Sequence, residues 1–195
     1  TLFRSDENIL ANTKADITAK MPYVSAMGLD VVKALDAHVK LNRKEAPKIS
    51  LSGEVFKGKL FARGEAAQDK NGNIKPQAII SLVNLDVPTL INTFPDLAKS
   101  IKKPSGKITV RTKISENLNA ETEIKSDKLT ANGITLTNIF ADVDYDSKNN
   151  IADIENFSVN LGKGLITANG NVNLNDNTLW LSLDQIDRKS TRLNS

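Results

Sequence analysis

Apolar and polar residues alternate along most of this chain. In GKITVRTKIS (106–115), Ile108, Val110, Thr112 and Ile114 fall on one side, and Lys107, Thr109, Arg111 and Lys113 on the other. LNAETEIK (118–125) sets Leu118, Ala120, Thr122 and Ile124 against Asn119, Glu121, Glu123 and Lys125. NIFADVDYDS (138–147) sets Ile139, Ala141, Val143 and Tyr145 against Phe140, Asp142, Asp144 and Asp146. Phe157, Val159 and Leu161 continue the pattern, followed by Val172 and Leu174, then by Leu179, Leu181 and Leu183 with Trp180 opposite. A period of two residues places successive side chains on opposite faces of a strand. Strand after strand of this kind predicts a mostly β chain, an antiparallel meander solvated on one side.

The joints read as turns: DKNGN (69–73), DSKNN (146–150), GKG (162–164) and NDN (175–177). One interval departs from the pattern. DVPTLINTFPDLAKSIKK (86–103) predicts a short helix with Asp86 as its cap and Pro88 in its first turn, which Pro95 interrupts or restarts. Leu90, Ile91, Phe94, Leu97 and Ile101 have near-helical spacing there. Their expected role is to cap the edge of the sheet, with gating of a ligand as the sharper alternative.

Two near-identical stretches, LTANG (129–133) and ITANG (166–170), suggest construction by repetition. Each is expected to end an apolar-faced strand at an Asn-Gly bend, with Gly133 and Gly170 supplying the backbone freedom. A longer match lays residues 17–41 over 90–114, an offset of 73. It predicts two units, each a helical segment followed by strands, over 6–86 and 87–186.

Composition narrows the chemistry. The 195 residues include no Cys and one His, with a formal charge of +3. The ends TLFRS (1–5) and DRKSTRLNS (187–195) resemble translated synthetic adapters and are set aside. Removing Arg4, Arg188, Lys189, Arg192 and Asp187 leaves 22 basic and 22 acidic residues. That balance gives no basic footprint for nucleic acid. No apolar run reaches the ~20 residues of a membrane-spanning helix, and no signal peptide is evident.

Candidate chemistry is sparse, and the expectation is a protein that is not an enzyme and carries no cofactor. Asp142, Asp144 and Asp146 invite a calcium reading, but an EF-hand loop needs Gly sixth and Glu twelfth, where Ser147 and Asp153 stand. Alternation alone places these carboxylates on a solvated face. His38 lies opposite Ala37 and Val39, with no nucleophile elbow to make a triad. Trp180 reads as a surface aromatic packing on a neighbouring strand, or as a membrane or partner contact.

The second half resembles the TamB branch of the AsmA-like proteins of the diderm bacterial envelope. The resemblance is carried by LINTFPDLAKSIKKPSGKITVRTKISENLNAETEIKSDKLTANGITLTNIFADVDYD (90–146), a helical turn followed by a Gly-led strand, an -LTANGITLTNI- hinge and an acidic strand. IENFSVNLGKGLITANGNVNL (154–174) extends it, and ISLSGEVFKGKLFARGEAAQ (49–68) matches more weakly. The resemblance implies a sheet curled into an open groove (β-taco-like) with its apolar face inside. Roughly eleven strands at ~4.8 Å would make it ~50 Å long, a part of an envelope-spanning whole.

Groove lining is then expected from Ile108, Val110, Ile114, Leu118, Ile124, Leu136, Ile139, Val143, Tyr145, Phe157, Val159, Leu161, Ile166, Val172, Leu174, Leu179, Leu181 and Leu183. The implied function is phospholipid conduction between inner and outer membranes in support of outer-membrane biogenesis. The implied partners are phospholipid acyl chains and an outer-membrane assembly barrel, in a periplasmic protein anchored in the inner membrane. Two alternatives stand beside it: a periplasmic scaffold for outer-membrane protein assembly or secretion, and a closed β-sandwich structural or adhesin repeat.

Overall fold

The computed structural model describes residues 14–26, 29–42, 45–68 and 74–187. They form one antiparallel sheet of eleven strands in sequence order, each paired to the next, with the ends left apart rather than closed into a barrel. The strands are β1 (Ala15–Ala26), β2 (Leu29–Leu41), β3 (Lys48–Val55), β4 (Gly58–Gln68), β5 (Ile74–Asp86), β6 (Ser105–Ile114), β7 (Ala120–Ala131), β8 (Ile134–Asp146), β9 (Ile151–Leu161), β10 (Gly164–Asn173) and β11 (Thr178–Asp187). Two short helices, α1 (Val87–Thr93) and α2 (Pro95–Ser100), separate β5 from β6. Strands take 74% of the residues, so little chain remains to build a covering layer. β5 pairs with β6, which joins the two expected units into one continuous sheet.

The predicted helical interval is present as drawn. The Asp86 carboxylate accepts from the Thr89 backbone N–H at 3.0 Å and from its hydroxyl at 2.5 Å. A proline stands at the start of α1, where its missing N–H costs no hydrogen bond. Pro95 ends that helix and begins α2, and the N–H of Phe94 closes on the Ile91 carbonyl. Ile91 is buried, and Leu85 and Val55 beside this end of the sheet are 3% and 5% exposed, among the least exposed large side chains described. Phe94 also meets Phe56 of the β3–β4 turn with ring centroids 6.5 Å apart. The buried apolar residues thus fall in two groups, Leu35, Val55, Leu85 and Ile91 on β2, β3, β5 and α1 and Ala141, Val159 and Ala168 on β8–β10, and no described large side chain is fully buried.

The first expected unit differs from the second. Residues 15–26 form β1, not a helix. Ile17, Ala19 and Met21 alternate there, and the stretch lacks the Asp-x-Pro start that opens α1. The two ANG stretches also differ. Asn132 and Gly133, with φ of 52° and 80°, form the tight β7–β8 turn. Gly170 instead lies inside β10, where a Cβ would stand 2.2 Å from the Trp180 carbonyl oxygen. It serves the close approach of β11 rather than a bend. The DKNGN turn (69–73) lies outside the described residues.

Regular alternation would fail over strands of this length without local correction. Ala34, Asn84 and Asn138 take φ of 48°, 57° and 51° within β2, β5 and β8, every third strand. Each sits at a register shift in which one strand carries an extra residue. Such a bulge shifts the alternation by one position. Leu35, Leu85 and Ile139, next along the chain, thereby stay with the apolar side chains instead of turning to the polar face.

The Thr89 hydroxyl, donating to Asp86, holds that carboxyl below its usual value, aided by the Thr89 N–H and by Lys57 and Lys107 and opposed by partial burial. A carboxylate lowered on folding adds stability above its unfolded value and loses it as pH falls through the folded one. Asp86→Ala should cost about 1 kcal/mol at neutral pH. The penalty should shrink as pH falls below about 4, where the carboxyl of the unfolded chain takes up its proton, toward the lower value of the folded one. Urea midpoints for both proteins at pH 7 and pH 3 check both statements.

Candidate functional site

Following cross-strand partners gives the site its geometry, because residues directly opposite in an antiparallel ladder share a face. Ile17, Val39, Ile49, Gly64, Ala78, Ile114, Ala120, Tyr145, Ala152, Val172 and Leu179 are successive partners, one from each strand. A second row runs Ala19, Ala37, Leu51, Ala62, Ile80, Thr112, Thr122, Val143, Ile154, Gly170 and Leu181. A third runs from Gly53 through Leu60, Leu82, Val110, Ile124, Ala141, Phe157 and Ala168 to Leu183. Beyond it, Ile108 pairs with Leu85, Val159 with Ile166, and Leu136 with Leu129 and Leu161.

Sixteen of the expected lining residues thus share one face that crosses the sheet: Ile108, Val110, Ile114, Ile124, Leu136, Ile139, Val143, Tyr145, Phe157, Val159, Leu161, Ile166, Val172, Leu179, Leu181 and Leu183. Two of the expected set lie outside the strands. Leu118 is in the β6–β7 turn with φ 64° and is exposed, because the turn runs from Ser115 to Asn119 and β7 begins at Ala120, two residues later than alternation suggests. Leu174 is exposed at the start of the β10–β11 turn, its N–H bonded to the Asn150 carbonyl. Of the helical set, Ile91 is buried, Leu90 and Ile101 are half-buried, and Phe94 meets Phe56. The side chain of Leu97 lies outside the described residues.

The few polar side chains on this face are occupied. The Thr112 and Thr122 hydroxyls bond each other at 3.1 Å. Ser126 donates to the Lys107 carbonyl at 2.6 Å, and Tyr145 to the Asn150 side-chain carbonyl at 2.8 Å. No buried side-chain polar atom among the described residues lacks a partner. The face therefore presents hydrocarbon with its dipoles satisfied, and an apolar guest would strand no hydrogen-bonding group. It is open at its β11 edge, where Leu179, Leu181 and Leu183 are 59%, 53% and 64% exposed, and buried over β8–β10 at Ala141, Val159 and Ala168.

The opposite face is polar and changes sign along the sheet. Lys107, Arg111 and Lys113 of β6 lie there, followed by Glu121 and Glu123 of β7 and Asp142 and Asp144 of β8. Asp142 and Asp144 thus face solvent beside Glu123 and Glu121, while Asp146 caps its own turn. The Lys148 N–H donates to Asp146 at 2.9 Å and the Asn149 side chain at 2.6 Å, and these bonds hold its carboxyl below the usual range. Among the described residues no group of His, Asp and Glu is placed to hold a metal ion. His38 bonds the Asp16 carboxylate across the β1–β2 ladder, half exposed. Trp180 is exposed opposite Asn171.

Alternation left one feature of the polar face unremarked. Phe61, Ile79 and Val83 occupy polar-face positions and, with Arg63 and Arg111, line a hollow of about 610 Å³. A larger hollow of about 1200 Å³ adjoins it, sharing His38, Ser50, Arg63 and Ile79 and reaching Asp144 and Asp153. Of the expected lining residues, Ile114 and Tyr145 border the larger hollow and none borders the smaller. The signal in the sequence was the three apolar residues at the wrong parity.

No protein-family model, no curated protein and no solved structure matches this chain.

Proposed function

We propose that this chain is part of an AsmA/TamB-like envelope protein whose apolar β-face conducts phospholipid acyl chains between the inner and outer membranes. The observation that carries the reading is the row from Ile17 to Leu179, one residue from each of eleven strands and apolar but for the hydrogen-bonded hydroxyl of Tyr145, with no second sheet over it among the described residues. A surface of this kind on a protein in water marks a binding site. Burial follows area and is non-directional, so each methylene laid on the face contributes about 0.8 kcal/mol wherever it lies. Neighbouring rungs are nearly equivalent, which lets a chain slide without a deep trap. At ~4.8 Å per strand the rows extend ~50 Å, longer than one extended acyl chain. A closed sandwich would need a second inner face to meet this one.

The test is a photo-crosslinking residue at Val143 or at Ile166, introduced in cells. Both should capture glycerophospholipid, and the same probe at Lys125 on the polar face should not. Val143→Asp should sharply reduce capture at Ile166 while leaving the fold intact, since Val143 is only half-buried. Absence of lipid at both positions, with a working probe elsewhere in the protein, would sink the reading. Under the resemblance the protein is periplasmic and meets an outer-membrane assembly barrel. The outer edges of β1 and β11, which pair with no other described strand, offer that partner a ladder to extend.

A further inference from the structure

The hollow of about 610 Å³ lies on the polar face, away from the apolar rows, and its composition breaks the pattern that builds the sheet. Phe61 is 52% exposed on that face, with Ile79 and Val83 on the adjacent strand. Ile79 and Val83 are half-buried there, and with Phe61 they form an apolar floor at positions where alternation calls for polar residues. Arg63 and Arg111 line the same hollow, and neither has an ion-pair or hydrogen-bond partner among the described residues. Arg63 stands opposite Ser50 and Ile79, so its ladder offers no carboxylate. Arg111 stands opposite Glu123, but that carboxylate holds Lys125 at 2.8 Å. Asp36, the other acid at the rim, pairs with Lys20 at 3.8 Å.

The two arginines are on β4 and β6, with β5 between them, about 10 Å apart in the strand-to-strand direction at ordinary spacing. Their forks can reach one guest over the floor from two sides. A guanidinium presents planar paired donors that match a carboxylate, phosphate or sulfonate group. The volume is within the ~300–1000 Å³ of small-molecule sites.

We infer that the Phe61–Ile79–Val83 hollow, flanked by Arg63 and Arg111, is a binding site for a small organic anion, one anionic group carried on an apolar ring or chain. The site is independent of the acyl-chain reading, since it uses the other face of the sheet.

Phenyl phosphate titrated into the full, isotope-labelled chain tests it, with inorganic phosphate and benzyl alcohol as the two half-ligands. Phenyl phosphate should shift the backbone amide signals of Phe61, Ile79 and Arg111 saturably, and each half-ligand should bind about tenfold more weakly or worse. The double substitution Arg63→Gln and Arg111→Gln should weaken binding about tenfold or more with the amide spectrum otherwise preserved, because both side chains are exposed. Phe61→Ser should weaken it through the floor with both charges intact. Unchanged affinity in the arginine variant, equal binding of inorganic phosphate, or shifts centred on Val143 and Leu181 across the sheet would each overturn the assignment.

Discussion

Gly106→Ala should destabilise the protein by about 3 kcal/mol or more, the sum of backbone strain and a forced displacement of the neighbouring strand. Gly106 has φ 116°, a conformation L side chains rarely adopt. A Cβ there would stand 2.2 Å from the Lys128 carbonyl oxygen and 2.9 Å from Leu129 Cδ2. The first neighbour is backbone and cannot rotate away, so β6 and β7 would have to part where their register already shifts. Gly133→Ala separates the two effects. Gly133 also has positive φ, at 80°, but nothing lies within 4 Å of its Cβ position. It should lose about 1–2 kcal/mol, the strain alone. Urea unfolding at matched slopes measures both, and equal losses would mean that the close approach at Gly106 carries no cost.

Leu85→Ala is expected to cost about 2–4 kcal/mol, the range for emptying a well-packed leucine site. Leu85 is 3% exposed, follows the Asn84 bulge and pairs with Ile108 near the foot of α1. Leu179→Ala should change stability by less than about 0.5 kcal/mol, because that side chain is 59% exposed on an edge strand. The contrast has a functional consequence. Leu85 is packed beside the helical interval, while Leu179 on the edge strand of the same apolar face can be altered without unfolding the sheet. Should both substitutions cost the same, the face near Leu179 is covered in solution, and its availability to an acyl chain is lost.

Much of the architecture was legible from alternation, because a two-residue period is a direct image of the pleat. Val110 and Lys113 part to opposite faces for the reason that Leu181 and Trp180 do. Asp86 with Pro88 announced α1, since a cap and a pre-set φ act within one turn. What failed was what local sequence leaves open. Leu118 kept the alternation yet entered a turn, because hairpin length is set by how β6 and β7 pair. Residues 17–26 imitated the spacing of the helical interval without its cap, and pairing with β2 took them into β1.

The sequence by itself determined the two faces, the turns at Asn132-Gly133 and residues 147–150, and the scarcity of catalytic side chains. Those follow from side-chain period, backbone permissiveness and composition, all properties of neighbours along the chain. Only the tertiary structure decided that all eleven strands align their apolar residues into continuous rows, because register is a relation between strands. Only pairing, likewise, made Ala34, Asn84 and Asn138 into bulges that keep Leu35, Leu85 and Ile139 on the apolar side. The polar face shows the same division: Arg63 and Arg111 are distant in sequence and ordinary in composition, and β5 lies between their strands, with Ile79 opposite Arg63 and Ser81 opposite Arg111.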